Sequence, residues 1–437
     1  MYPDFTEKKV NPDSIGAKAQ NLSTPAKQSR AGSELLEAVE EFLAVEQWPK
    51  NQRAHTFNKL QAFQRFQLPQ FAKSYESEME LLQNNSEQDI NTFFYRHLLI
   101  ELSFNGFDAK MNRTSQNDLK PVIQSLDEFA ALKKLRYLCE ALSRKQILGI
   151  SYNEEPVKDL LKILEPNTNE HYPYVYLFVN VYRMMEETAY ADSDVYYQFI
   201  KQFADKQDFD KSPQSLTEIT TYTINHCLKW YNKGYETAGD EYLWWMEWKM
   251  KYDLLLENGK LLPIVFRNII SIAVLNKKNP EWIDKVIKTY AARLPEEHYE
   301  TNLAFAQGLY QYALKNHKEA IRQFLIAQAK EEVIFNCIIR RWQWVSLYEY
   351  DSADIDALLN HLFAFEKYLL RYKTEMQHLS GVFTTFINYA GKLLKANKSE
   401  AEAVLTEIKN AGHFPGSNWL IEQLAEKSKG AKPAKVG

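Results

Sequence analysis

Histidines, cysteines and paired acids are where chemistry would start in this chain, and each group lacks the company that its chemistry needs. Nine histidines are scattered singly from His55 to His413. None belongs to a His-Glu-x-x-His run or stands at ligand spacing from a cysteine, so no zinc-hydrolase or zinc-finger donor set is written here. Cys139, Cys227 and Cys337 are odd in number, far apart and set among apolar residues in helical pattern. They read as small core residues rather than as a disulfide framework or redox pair. The pairs Glu40-Glu41, Glu154-Glu155, Glu186-Glu187 and Glu296-Glu297 offer two carboxylates each. Adjacent helical residues diverge by about 100°, which suits solvated faces better than a general acid and base. Glu296-Glu297 after Pro295 also fits a first helical turn, where acids complement the dipole.

Two basic stretches remain. Arg340-Arg341-Trp342-Gln343-Trp344 sets guanidinium groups beside indoles, a pairing that can stack on bases or grip an acidic peptide. The reading preferred for it is structural: tryptophans packed inside, both arginines snorkelling outward. Lys133-Lys134-Leu135-Arg136 with Arg144-Lys145 is the second patch. No Walker-type glycine loop and no dinucleotide fingerprint occurs. The sequence therefore nominates no catalytic, cofactor-binding or metal-ligating residue and calls for no cofactor.

The elements that would position any site are helices. Glycine (14) and proline (15) are scarce in 437 residues, which disfavours a turn-rich all-β chain, and the aromatic content of 14% suits wide, ring-filled contact layers. Leu35, Leu36, Val39, Phe42 and Leu43 recur at three-four spacing among acids, and Phe57, Leu60, Phe63 and Phe66 repeat the stripe. Prolines from Pro49 to Pro415 fall between such segments, where a missing N–H is tolerated. Tyr174-Val-Tyr-Leu-Phe-Val-Asn-Val-Tyr182 has a strand-like composition but no evident partner strand. Asn180, Arg183 and Glu187 share one helical face, so it reads as a buried helix. Trp244-Trp245-Met246-Glu247-Trp248 is apolar on more than one face and reads as a helix sandwiched between neighbours in preference to an aromatic cage.

The expected organisation is a flexible tail over 1–31, an N-terminal helical region over 32–165, a helical repeat region over 166–426 and a flexible basic tail over 427–437. Net charge is −4 with a pI near 6.2, giving no global attraction to phosphate backbones or anionic lipid. No apolar run approaches the roughly 20 residues of a membrane span, and Met1-Tyr2-Pro3-Asp4 lacks the marks of a signal peptide, so the expectation is a soluble cytoplasmic chain without membrane insertion.

The clearest repeat is Ala304 to Ala327. Gly308 and Ala320 supply small positions where two antiparallel helices approach, and Phe324 supplies the ring that fills the gap, as in a tetratricopeptide (TPR) hairpin. Gln311 stands where that pattern usually has tyrosine, and the closing proline is absent. Further pairs follow over 334–372 and 383–408. A lone hairpin cannot cover its own apolar face, so the pairs must stack into an all-α solenoid.

With Asn225-His-Cys-Leu-Lys-Trp-Tyr-Asn-Lys-Gly234, Leu254-Leu-Leu-Glu-Asn-Gly-Lys-Leu-Leu-Pro263, Phe266-Arg-Asn-Ile-Ile270 and Trp282 to Pro295, the chain resembles a family of TPR-like helical proteins common in bacteria of the Bacteroidota. Phe365-Glu-Lys-Tyr-Leu-Leu-Arg371, Phe386-Ile-Asn-Tyr389 and Trp419-Leu-Ile-Glu422 carry the resemblance on, over roughly residues 170 to 425. It implies the fold and transfers no catalytic residue. Trp342, Trp344, Tyr348 and Tyr350 have no counterpart in a standard TPR pattern. The function expected is a non-enzymatic interaction scaffold whose stacked helices hold a protein or peptide on a concave face. A nucleic-acid-associated repeat protein is the alternative, and an enzyme with a site assembled from dispersed residues is the third reading.

Overall fold

The computed structural model describes residues 24–47, 52–84, 90–106, 119–148, 173–206, 217–328, 332–376 and 380–429. These form eighteen α-helices and no strand; an isolated bridge between Glu257 and Lys260 is the nearest thing to one among the described residues. The chain divides into two compact units, residues 1–134 and 135–437. The composition boundary expected at 165/166 lies outside the described residues.

The first unit holds α1 (Pro25–Gln47), α2 (Gln52–Arg65), α3 (Gln70–Asn84), α4 (Ile90–Phe104) and the beginning of α5 (Lys120–Leu148). Leu60, Leu82, Leu99 and Leu102 form its core, with Phe57, Phe63, Phe71 and Tyr75 packed around them, so Phe57, Leu60 and Phe63 of the second predicted stripe face inward, whereas Phe66, past the end of α2, is exposed. Arg96 pairs with Glu128, and His97 Nδ1 meets Ser125 Oγ at 3.1 Å, fastening α4 to α5. The helix α1 begins inside the stretch assigned to a flexible tail. Thr24 Oγ1 accepts from Lys27 N at 3.4 Å and Pro25 takes the first helical position, a start signal that the polar composition of residues 1–31 obscured.

The second unit is a row of antiparallel helical pairs. Its helices are α6 (Pro173–Glu186), α7 (Tyr190–Lys206), α8 (Thr217–Tyr231), α9 (Glu236–Lys251), α10 (Pro263–Leu275), α11 (Pro280–Tyr290), α12 (Glu296–Ala313) and α13 (His317–Ile326). Then come α14 (Val333–Tyr350), α15 (Ile355–Arg371), α16 (Ser380–Lys395), α17 (Lys398–Asn410) and α18 (Ser417–Lys429). Apart from α7 and α8, each packs extensively on its successor, and α6 on α8, α10 on α12 and α16 on α18 pack across the intervening helix, as stacking requires. The antiparallel sense shows in α6 and α7, where Tyr174 meets Phe203 and Tyr176 meets Phe199 edge-on, at 5.9 and 5.1 Å.

Local chemistry sets the helix ends. Pro263 and Pro280 open their helices, Asn279 Oδ1 accepts from Glu281 N at 2.9 Å, and Asn397 with Glu400 closes a capping box on α17. Glu296 and Glu297 lie in the first turn of α12, as read. The segment Tyr174 to Tyr182 is helical, with Leu177 and Val181 fully buried. Asn180 departs from its expected polar face: it is buried, and its Nδ2 donates back to Tyr176 O at 2.8 Å. Trp245 and Trp248 are core residues of α9. The helix α18 runs on to Lys429, and Lys427, assigned to the basic tail, donates to Leu393 O at 2.7 Å, satisfying a carbonyl near the end of α16. No helix among the described residues is long and apolar enough to cross a membrane.

Candidate functional site

Of the stretches singled out by residue type, Arg340-Arg341-Trp342-Gln343-Trp344 becomes the most unusual place in the structure. It lies in the middle of α14, which is covered on several sides. Trp342 and Trp344 are buried, as expected. The arginines do not snorkel outward. Arg341 is 9% exposed, and among the described residues it has neither hydrogen-bond nor ion-pair partner. Arg340 is half-buried, its Cζ lies 4.5 Å from the Tyr368 ring, and its Nε has no partner. Burial lowers the Arg341 pKa to about 10, with the nearby Tyr231 phenol acting the other way, so the side chain stays a cation at neutral pH.

Helical spacing spreads these groups over different faces. Trp342 turns toward α12 and α13, where its ring meets Tyr312 at 5.1 Å and Phe324 at 6.5 Å. Gln343 and Arg340 turn toward α15; Gln343 Oε1 lies 3.4 Å from His361 Nε2. Burial first and Arg340 second lower the His361 pKa to about 4. Arg341, Trp344 and Tyr348 turn toward the C-terminal segment. Trp344 and Tyr348 meet Trp419 edge-on at 5.8 and 5.3 Å, and Trp419 Nε1 donates to Glu349 Oε1 at 2.8 Å. Gly416 sits so close that a Cβ there would be 2.9 Å from the Phe386 ring and 3.4 Å from Arg341 Cδ. Its φ of +93° also belongs to glycine. Trp342 Nε1, Gln343 Nε2 and Ser346 Oγ are buried without partners too, making α14 rich in unspent hydrogen-bonding capacity.

A second polar cluster joins α7, α8 and α9. Tyr197 donates to Glu241 Oε2 at 2.7 Å, Lys201 pairs with the same carboxylate, Trp245 Nε1 donates to Tyr197 Oη at 3.1 Å, and His226 stacks on the Tyr197 ring at 5.6 Å. A cysteine, a histidine and an acid close together invite a catalytic reading, yet the protonation states oppose it. Burial pushes the Cys227 thiol up to about 12 and His226 down to about 3, so neither thiolate nor imidazolium is available at neutral pH. The cluster is internal wiring. A cavity of about 490 Å³ beside it is lined by Ser143, Met185, Tyr222, Asn225, His226 and Lys229, and gathers no acid-base pair.

The other sequence candidates stay dispersed. Cys139, Cys227 and Cys337 are buried and free. Among the described residues no three His, Cys, Asp or Glu side chains gather at metal-holding distance. Glu40 and Glu41 are exposed, while Glu154, Glu155, His171 and His378 lie outside the described residues. Arg136 pairs with Glu218 and Arg144 with Glu140, which neutralises part of the second basic patch. Sequence reasoning missed Gly416, because nothing local in its segment signals that it packs against Arg341. No protein-family model, curated protein or solved structure matches the chain, so geometry alone carries the functional argument.

Proposed function

We propose that this chain is a non-enzymatic scaffold that binds another protein or peptide through its helical surfaces, its pairs acting as TPR-like units akin to those of the Bacteroidota family. The observation that carries the reading is the apolar face of α1. Leu35 (66% exposed), Leu36 (59%), Val39 (44%), Phe42 (64%) and Leu43 (46%) share one side of that helix and stand in solvent. Each such side chain, once covered, returns about 1.5–3 kcal/mol, a strong incentive for a partner to cover them. Glu34, Glu37, Glu40 and Glu41 line the same helix and are exposed. They favour a partner whose apolar groove is rimmed by basic groups. On α15, Ile355, Phe363 and Leu370 make a second, smaller exposed ridge.

The test compares wild type with the double substitution Leu36→Glu and Phe42→Glu, using a photo-crosslinking side chain placed at Val39 in native lysate. Wild type should yield one reproducible crosslinked protein. The double variant should lose it while melting at the wild-type temperature, because both side chains already face water. Equal capture by the double variant would sink the reading.

A further inference from the structure

Helix α8 carries polar residues along a stripe that the helices around it help to enclose. Tyr222, Asn225, His226 and Lys229 stand at i, i+3, i+4 and i+7, the spacing of one helical face. A face turned toward neighbouring helices is ordinarily aliphatic and filled by their side chains. This one instead lines the cavity of about 490 Å³, together with Ser143 of α5 and Met185 of α6. That volume is typical of small-molecule sites, and every lining residue belongs to the second unit and is described. Met185, Tyr222 and His226 are buried, Lys229 is half-buried, and Asn225 and Asn232 are exposed, so the cavity leads from a polar mouth to a ring-lined interior.

Lys229 is the one cation of this lining, because burial keeps His226 uncharged at neutral pH. Its Nζ donates to a single acceptor, Glu187 O, at 3.5 Å, and makes no ion pair among the described residues. Burial first and Lys233 second lower its pKa, so the ammonium stands where negative charge is in short supply. No carboxylate is among the lining residues. The acids that act on the Tyr222 phenol are already paired, Glu218 with Arg136 and Glu140 with Arg144. An anion that enters therefore meets one ammonium and no lining carboxylate. The side chains of Ser143, Asn225 and Asn232 hold no hydrogen bond among the described residues, which leaves their donors free for it.

Charge and shape choose the ligand class. A single ammonium balances one carboxylate and leaves a phosphate dianion half uncompensated. The rings of Tyr222 and His226 and the Met185 thioether suit an aromatic body. We infer that the cavity is a binding site for a small monocarboxylate with an aromatic body, its carboxylate held by Lys229 and the Asn225 and Asn232 amides, its body against Tyr222, His226 and Met185. The site goes beyond the scaffold reading and is independent of it, since α1 belongs to the other unit.

The experiment uses the full chain and calorimetric titration with phenylbutyrate, its neutral amide phenylbutyramide, inorganic phosphate and an acetylated oligoalanine ending in phenylalanine with a free carboxyl. With a net charge of −4 the protein has no general attraction for anions, so preference for the acid reports a local site. Phenylbutyrate should bind at least about 10-fold tighter than the amide, as a charge-assisted hydrogen bond requires. Lys229→Met should remove that difference, the acid falling to the level of the amide, whose own persistent binding shows that the variant is folded. Ser143→Phe fills the cavity from α5 without touching its charge and should abolish binding of both. Adhesion to exposed apolar surface would leave both variants like wild type. Equal wild-type affinity for acid and amide, an acid preference that survives Lys229→Met, undiminished binding by Ser143→Phe, or no phenylbutyrate binding at all would each overturn the inference. Tighter binding of phosphate would overturn its charge count, and tighter binding of the peptide would make the ligand a chain end instead of a small molecule. Neither variant touches α1, so the scaffold reading would survive the failure of this one.

Discussion

At the scale of single residues, the buried titratable groups make stability depend on pH in a stated direction. Burial lowers His226 to about 3 and His361 to about 4, against about 6.5 in an unfolded chain. The unfolded state therefore binds more protons between those values, and stability is retained above about pH 6.5 and lost as pH falls toward the folded pKa values. By pH 5 each histidine should have cost about 2 kcal/mol. Melting temperature followed from pH 7 to pH 5 should fall steeply, and His226→Gln and His361→Gln should each flatten the slope; an unchanged slope in both would show that other groups govern the acid limb. The cysteines make a companion prediction. Buried thiols pushed up to about 12 at Cys227 and Cys337 should resist a disulfide reagent in the native state and react at once in denaturant. Burial of Cys139, Cys227 and Cys337 was legible from the apolar pattern around them. The burial of Arg341 was not, because arginine's long stem usually lets its charge escape, and here the Gly416 turn packs against that stem from 75 residues downstream in the numbering.

At the scale of elements, the closest approach between helices explains why the repeat was readable. Gly308 on α12 faces Phe324 on α13, and a Cβ at Gly308 would lie 2.6 Å from that ring. The ring is fully buried and also touches Phe305 and Trp342, so it cannot swing aside. Gly308→Ala gains up to about 1 kcal/mol of helix propensity and loses about 1–3 kcal/mol to overpacking. A lower melting temperature is expected, restored in part by adding Phe324→Leu; a stabilised Gly308→Ala would show that the pair is looser than drawn. Small-then-large spacing within one hairpin is local information, which is why Gly308, Ala320 and Phe324 could be paired from sequence. The start of α1 was equally local, in Thr24-Pro25, but a polar and proline-bearing composition outweighed it. What escaped was the side of each helix that a remote segment covers, as at Asn180, whose polar amide was read as a solvent face and instead bonds within its own helix.

At the scale of the whole molecule, the second unit is more than a row of neighbours. A simple solenoid has contacts only between adjacent repeats, so damage at one end leaves the other intact. Here the segment before α18, and α18 itself, reach back across the pairs: His413 Nδ1 lies 2.9 Å from Asn232 O, Asn418 donates to Glu236, and Lys277 faces Glu422. Trp419 is the centre of that crossing, 9% exposed between Trp344 and Tyr348 and bonded to Glu349. These bridges span up to 182 residues and join the turn after α8 and the start of α9 to the segment before the last helix and to that helix itself. Trp419→Ala should cost about 3–5 kcal/mol by cavity formation and loss of the indole hydrogen bond. The informative readout is where amide exchange accelerates. If the crossing ties early and late pairs into one cooperative body, protection should fall at Asn232 to Glu236 as well as in α14 and α18, although Trp419 touches none of the upstream residues. Loss confined to α16, α17 and α18 would mean that the pairs unfold as an open row and that the contacts to Asn232 and Glu236 are too weak to couple them.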